Sequence, residues 1–189
     1  MANEGPAQKS FKGSLILADP SLREPTFFQS VLLLTEHGPS GAFGYILNRP
    51  IGKKVGDLLG QDILPGEVRR QLGDTPVFMG GPVSTEHLTF SALGWSEDDG
   101  KLQYVTHLSA QEAVMHQMEG FQIRAFVGYS GWSEGQLEDE FEKKAWIAHR
   151  PDKTIIDLGN TDHLWKDLLR ELSPWHKLVA DEPDNLWLN

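Results

Sequence analysis

The chain has 189 residues and a mass of 21.1 kDa, enough for one domain with a single core. Its 27 acidic against 17 basic side chains give a net charge of −10, which argues against direct nucleic-acid binding and against anionic membranes, since phosphates attract basic faces. It has no cysteine, which excludes disulfides, thiol chemistry and cysteine-type zinc sites and suits a reducing cytoplasm.

Residues 1–12 are largely polar, with Gly5 and Pro6, and read as a flexible N-terminal tail. They hold neither the apolar stretch nor the basic cluster of a secretory leader, so no signal peptide is expected. The apolar runs, such as Val31-Leu32-Leu33-Leu34, fall far short of the ~20 residues that a membrane helix needs. The run Ser14-Leu15-Ile16-Leu17-Ala18 predicts a buried strand, ended by Asp19-Pro20, and the Val31 run predicts a second. Phe43, Tyr45 and Leu47 alternate with Gly44, Ile46 and Asn48 in a third. The intervening His37-Gly38-Pro39-Ser40-Gly41 turn makes a hairpin, closed by Asn48-Arg49-Pro50. Residues 55–60 and 66–72 allow two short helical turns. Strands follow over 76–79, 88–92 and 102–105. The first leads into Gly80-Gly81-Pro82, and the other two flank an acidic loop over 96–100.

Ser109-Ala110-Gln111-Glu112 is a capping box: the serine can accept from an early amide while the glutamate reaches back to the cap amide. It predicts a helix to about Glu119, with Ala110, Val114 and Met118 on one apolar stripe and Gly120 as the stop. A β-rich run over 121–127 then feeds a glycine-hinged turn, Gly128-Tyr129-Ser130-Gly131-Trp132. A second, weaker box, Ser133-Glu134-Gly135-Gln136, opens an acidic helix. Short strands over 146–148 and 154–156 precede a final amphipathic helix with Leu164, Trp165, Leu168, Leu169 and Leu172 on its apolar face. Residues 173–189 read as a C-terminal extension whose Trp175 and Trp187 either fold back on the domain or form a docking surface for a second copy or a partner. The order predicts one α+β domain over 13–172, with a mixed, largely antiparallel β-sheet, open or barrel-like, flanked by helices.

Four of these stretches, in series, carry a resemblance: Gly13-Ser14-Leu15-Ile16-Leu17-Ala18, Phe43-Gly44-Tyr45-Ile46-Leu47-Asn48-Arg49-Pro50, Gly80-Gly81-Pro82-Val83 and the 128–138 turn. Together they resemble the bacterial AlgH/YqgE family from about Gly13 to Leu172. The resemblance implies a compact α+β fold with an unusual mixed sheet. It also implies a link to the control of exopolysaccharide genes, which gave some members the label of transcriptional regulator. It implies no catalytic residues. The tryptophan-bearing tail and Ser130 depart from the family pattern.

Ser130 sits between a strand and a helix, as a hydrolase nucleophile does, but Trp132 stands where that elbow needs a glycine, and no His–Asp pair is assigned to it. The glycines at 128, 131 and 135 match neither phosphate-binding nor dinucleotide spacing. Arg49, extended before a proline, either grips a carboxylate or phosphate with two parallel bonds or is spent on an internal ion pair or backbone carbonyls. The seven histidines show no metal spacing. Glu112 and His116 make one isolated helical pair, and the adjacent Glu36-His37 and Glu86-His87 diverge on strands, so no metal and no cofactor are expected. The expected function is a cytoplasmic, non-enzymatic ligand- or partner-binding regulatory domain. Its working surface would bring together Asn48, Arg49, Gly80, Gly81, Tyr129, Ser130, Trp132 and Gln136 for a small molecule or protein partner. The alternatives are an enzyme on a small polar substrate at the 129–132 turn, and a transcriptional regulator acting indirectly. The segments at 55–72 are too short to cross a major groove.

Overall fold

A computed structural model describes residues 10–59, 65–157, 159 and 161–182. Among them, nine strands form one sheet: β1 (Leu15–Ala18), β2 (Val31–Gly38), β3 (Gly41–Ile46), β4 (Pro50–Lys54), β5 (Pro76–Met79), β6 (Val83–Ser96), β7 (Lys101–Leu108), β8 (Gln122–Trp132) and β9 (Trp146–His149). Six α-helices accompany it: α1 (Val55–Leu58), α2 (Gly66–Leu72), α3 (Ala110–Met118), α4 (Gln136–Glu142), α5 (Leu164–Arg170) and α6 (Pro174–Asp181). The strand order is β4-β5-β8-β3-β2-β1-β9, with β6 paired to both β7 and β8. Only the β5–β8 pairing is parallel. The sheet curls into a half-barrel, so the expected mixed and largely antiparallel α+β architecture is the one observed.

The unbroken apolar runs of β1 and β2 follow from cover on both faces. Leu15, Leu17, Val31 and Leu33 point into one core with Tyr45, Leu47, Trp165 and Leu168. Ile16, Ala18, Leu32 and Leu34 point into a second with Trp132, Leu137 and Trp146. A third core lies under α1, α2 and α3, where Val55, Leu72 and Ala113 meet Val77, Phe90 and Ala125. Each such fully buried aliphatic side chain contributes about 1.5–3 kcal/mol. The capping box at α3 forms as the spacing requires: Ser109 Oγ accepts from Glu112 N at 3.3 Å and Glu112 Oε2 from Ser109 N at 2.8 Å. Met118 leaves the expected stripe and is 77% exposed, while Ala113 takes the buried position.

Several boundaries differ from the sequence reading. The strand expected to stop at Val127 continues as β8 to Trp132, because Gly128 takes its positive φ within the strand instead of in a turn after it. The strand expected at 154–156 is a 3-10 turn over Lys153–Ile156, closed by Asp152 Oδ1 accepting from Thr154 N at 2.7 Å. The expected extension begins with another helix: Ser173 caps α6, Pro174 occupies its first turn, and Val179 and Ala180 are buried in the α5 core. Trp175 stays 56% exposed there. At the other end Phe11 stacks on Phe141 at 4.6 Å and its N–H donates to His37 Nδ1, so residues 10–12 are held against the domain. Residues 1–9, 60–64 and 183–189, with Leu186, Trp187 and Leu188, lie outside the described residues.

Candidate functional site

β8 changes partner half-way along. Ala125, Phe126 and Val127 pair in parallel with Val77, Phe78 and Met79 of β5, whereas Ser130, Gly131 and Trp132 pair antiparallel with Gly44, Phe43 and Ala42 of β3. Gly80 fills the gap where one partner leaves and the next arrives. Its N–H donates to Val127 O at 2.9 Å, and its carbonyl accepts from Ile46 N at 2.9 Å and from Ser130 Oγ at 3.1 Å. Such backbone crowding admits no side chains. A Cβ on Gly128 (φ 68°) would stand 2.5 Å from the Gly81 carbonyl oxygen, and one on Gly81 would overlap the Ser130 hydroxyl and the Tyr129 carbonyl. Ser130 is fully buried and its hydroxyl serves this junction. Gly80, Gly81, Tyr129 and Ser130 are thus brought together.

A cleft of about 220 Å³ opens beside the junction, lined by Tyr45, Ser84, Thr89, His107, Gly128 and Tyr129, with His87 at its edge. Its two tyrosines belong to a ladder of rings: Tyr129 stacks on Phe43 at 4.4 Å, Phe43 meets Tyr45 edge-on at 5.3 Å, and Tyr45 stacks on Phe126 at 4.6 Å. The Tyr45 hydroxyl lies 3.4 Å from His107 Nδ1. Burial, then the negative charge of Glu36 and the neighbouring Tyr129, push the Tyr45 phenol up to about 12, so it keeps its proton at neutral pH. Ser84 (φ 54°) and His107 (φ 60°) both hold a left-handed backbone without being glycine. They sit where β6 slips against β8, between Val83 and Leu88, and where β7 slips against β6, opposite Phe90 and Ala92. Bulges at these slips re-aim side chains. The same slip brings His87 Nδ1 to 2.9 Å from Glu86, although the two are adjacent in a strand and were expected to diverge.

The other sequence-predicted residues lie elsewhere. Asn48 and Arg49 line a different, larger pocket of about 430 Å³ with Gln29, His163, Trp165 and Lys166. The backbone of Arg49 accepts from Met79 N beside the junction, but its guanidinium turns away to donate to the Phe28 carbonyl. Trp132 and Gln136 belong to a latch around Glu140. Trp132 Nε1 and Trp146 Nε1 donate to Glu140 Oε2 at 2.8 and 2.6 Å, and Gln136 Nε2 donates to Oε1 at 3.0 Å. The surface expected to unite all eight residues is therefore divided among three places, because the strand continues past Gly128 and carries Trp132 beyond the cleft.

A family model described as AlgH-like matches residues 15–177. The chain belongs to the AlgH-like family. It is similar to a UPF0301 protein of Streptomyces avermitilis, 34% identical over 95% of this chain and 96% of the relative. It is also similar to a UPF0301 protein of Chlorobium phaeobacteroides, 30% identical over the full length of both. Among solved structures it is similar to the AlgH protein of Pseudomonas aeruginosa, with a TM-score of 0.63, 28% identity and coverage of 97% of this chain and 99% of that one. A protein from Corynebacterium diphtheriae shares the fold with a TM-score of 0.69 at 21% identity. The AlgH-like match extends past Leu172 into α6, in keeping with the packing of that helix.

Within this AlgH-like fold, sequence reasoning missed Ser84, Thr89 and His107 as cleft residues, since nothing local marks a bulge at a serine or a histidine. It also missed Arg124, the largest fully buried side chain. A lone arginine in the apolar run Ile123-Arg124-Ala125-Phe126 was the available signal. Arg124 donates to the carbonyls of Leu47 (2.9 Å) and Ile155 and lies 5.5 Å from the Phe78 ring centroid. Burial lowers it to about 10, with Asp157 opposing the shift. Among the described residues no group of three His, Asp or Glu side chains is placed to hold a metal, and no helix is long and apolar enough to cross a membrane.

Proposed function

We propose that this AlgH-like chain is a non-enzymatic binding domain that takes a small polar ligand in the Tyr45–His107–Tyr129 cleft. One observation carries the reading: two non-glycine residues, Ser84 and His107, hold left-handed backbone on neighbouring parts of the sheet and line the same cleft. Each such residue costs on the order of 1–3 kcal/mol, and strain of this kind collects at binding sites because it fixes side chains where a ligand needs them. The cleft presents ring faces, two aliphatic hydroxyls, two phenols and two imidazoles, a set suited to a flat ligand with hydrogen-bonding edges. At about 220 Å³ it lies below the usual range of ~300–1,000 Å³ for drug-sized ligands, so the ligand is small.

The enzymatic alternative has less support. Ser130 is buried and bonded to Gly80, and the cleft pairs His107 with a phenol that stays protonated, so no nucleophile–base–orienter set stands open to a substrate. Direct transcriptional control has less support too, given a net charge of −10 and helices of 4 and 7 residues at 55–72. The reading includes a cytoplasmic setting, supported by the lack of cysteine.

The test is a fragment screen by two-dimensional NMR against nucleosides, amino acids and short peptides. Hits should move the His107, Tyr129 and Thr89 signals together. Tyr129→Ala should weaken a hit at least tenfold through loss of a stacking face. Hits that map only to other surfaces, or that ignore Tyr129→Ala, would overturn the assignment.

A further inference from the structure

We propose that the pocket beside Arg49 is a second ligand site, built for the oxyanion group of a small molecule. Arg49 is half-buried, and burial alone holds its guanidinium below the usual arginine range. It remains a cation at neutral pH. Its bond is to a neutral partner, the Phe28 carbonyl, and among the described residues it enters no ion pair. A cation drawn out of water is ordinarily paired, because the loss of hydration is offset only by an opposite charge. Here Arg49 lines a pocket of about 430 Å³, within the range of small-molecule sites.

The surroundings favour an anion. In a chain of net charge −10, the described lining of this pocket holds Arg49 and Lys166 with one carboxylate, that of the exposed Asp162. Its walls are already fixed. Asn48 spends both ends of its amide on the backbone, accepting from Val31 N at 2.9 Å and donating to Gln29 O at 2.9 Å. The indole of Trp165 donates to Ala18 O at 2.8 Å. With these two walls held by hydrogen bonds, less entropy is lost when an oxyanion arrives at Arg49. Carboxylate and phosphate both match its guanidinium fork with two parallel bonds. The pocket shares no lining residue with the Tyr45–His107–Tyr129 cleft, so the two sites stand or fall separately.

The experiment is an NMR titration of the full chain with sodium phosphate and, separately, sodium succinate, against sodium chloride at matched ionic strength. The Trp165 indole N–H is the reporter. The expected result is a saturable shift of that signal with one or both oxyanions and none with chloride, while His107 and Tyr129 stay still. The stronger of the two anions identifies the ligand as a phosphate ester or a carboxylic acid. Arg49→Gln should weaken the titration at least tenfold with the starting indole signal unchanged. Lys166→Glu, on the rim, should weaken it several-fold, and it decides the matter should Arg49→Gln fail to fold. Absence of saturation with both anions, or a titration that survives whichever of these variants folds, would overturn the proposal.

Discussion

Tyr129 and Trp132 stand three residues apart on β8, and both come from the same glycine-rich stretch, yet they serve opposite kinds of structure. Trp132 is closed in: its ring is buried, its N–H is bonded to Glu140, and Trp146 donates to the same carboxylate oxygen. Every polar group of that latch has a partner, and the result is a fastening of α4 onto the sheet. Tyr129 lies half-open over a cleft whose neighbours Ser84 and His107 are held in left-handed backbone. Satisfied polar groups mark a region that holds the fold. Open rings in strained geometry mark a region that the fold holds in readiness. Composition alone cannot separate the two, since both residues are aromatic and come from one glycine-rich stretch.

The junction that separates the two regions is the most sensitive point. Gly81→Ala would drive a methyl into the Ser130 hydroxyl and the Tyr129 carbonyl, and backbone on both sides is locked in the sheet. A loss of at least about 3 kcal/mol is expected in urea unfolding. A loss under 1 kcal/mol would mean that β8 can slide here, and the division between latch and cleft would dissolve. The latch itself comes next. Glu140→Ala strands two buried indole N–H groups and should cost roughly 2–3 kcal/mol. Glu140→Gln keeps an acceptor and should recover more than half of that. Equal losses in the two variants would show that charge, and not the paired bonds, fastens α4.

The cleft can be read by pH. The Tyr45 phenol titrates near 12 in the folded chain against an ordinary 10.0. The folded state therefore holds that proton more tightly than the unfolded one. The linked stability is complete below pH 10 and drains away as pH rises through about 12, a change on the order of 2 kcal/mol. Phenolate absorbance should show a late-titrating tyrosine that Tyr45→Phe removes, together with the slope in stability. If Tyr45 titrates at its ordinary value, the phenol is wet and the cleft is deeper than the structure gives.

How much of this was legible in the chain depended on range. Contacts within a few residues wrote themselves plainly: the Ser109–Glu112 capping box, the alternation of Phe43, Tyr45 and Leu47 toward one core, and the apolar face of α5. The glycines at 80, 81 and 128 were visible as special positions, but they read as turns. A single residue with positive φ can instead leave the strand running, and only the arrival of β3 and β5 on the same edge of β8 decides between the two. Arg49 shows the same limit at the side-chain level. Its backbone lies next to the junction, as its place before Pro50 suggested, but its guanidinium follows the Phe28 carbonyl into another pocket. The His107 bulge had no local signature at all, because it arises from a register mismatch between β6 and β7.

The smallest effect expected has the opposite sign to the rest. Ser84 holds φ 54° in a bulge of β6, where a side chain crowds the carbonyl that follows it. Ser84→Gly removes that crowding, and the gain is partly offset by the larger freedom of glycine in the unfolded chain. A net stabilisation of about 0.5–1 kcal/mol is expected. The same change removes a hydroxyl and loosens the loop that presents it, so any ligand found in the cleft should bind less tightly to the more stable protein. Stability and binding moving in opposite directions would assign the strain at Ser84 to function. A variant that is both less stable and unaltered in binding would return Ser84 to the ordinary structure of the sheet, and the contrast between Tyr129 and Trp132 would then rest on His107 alone.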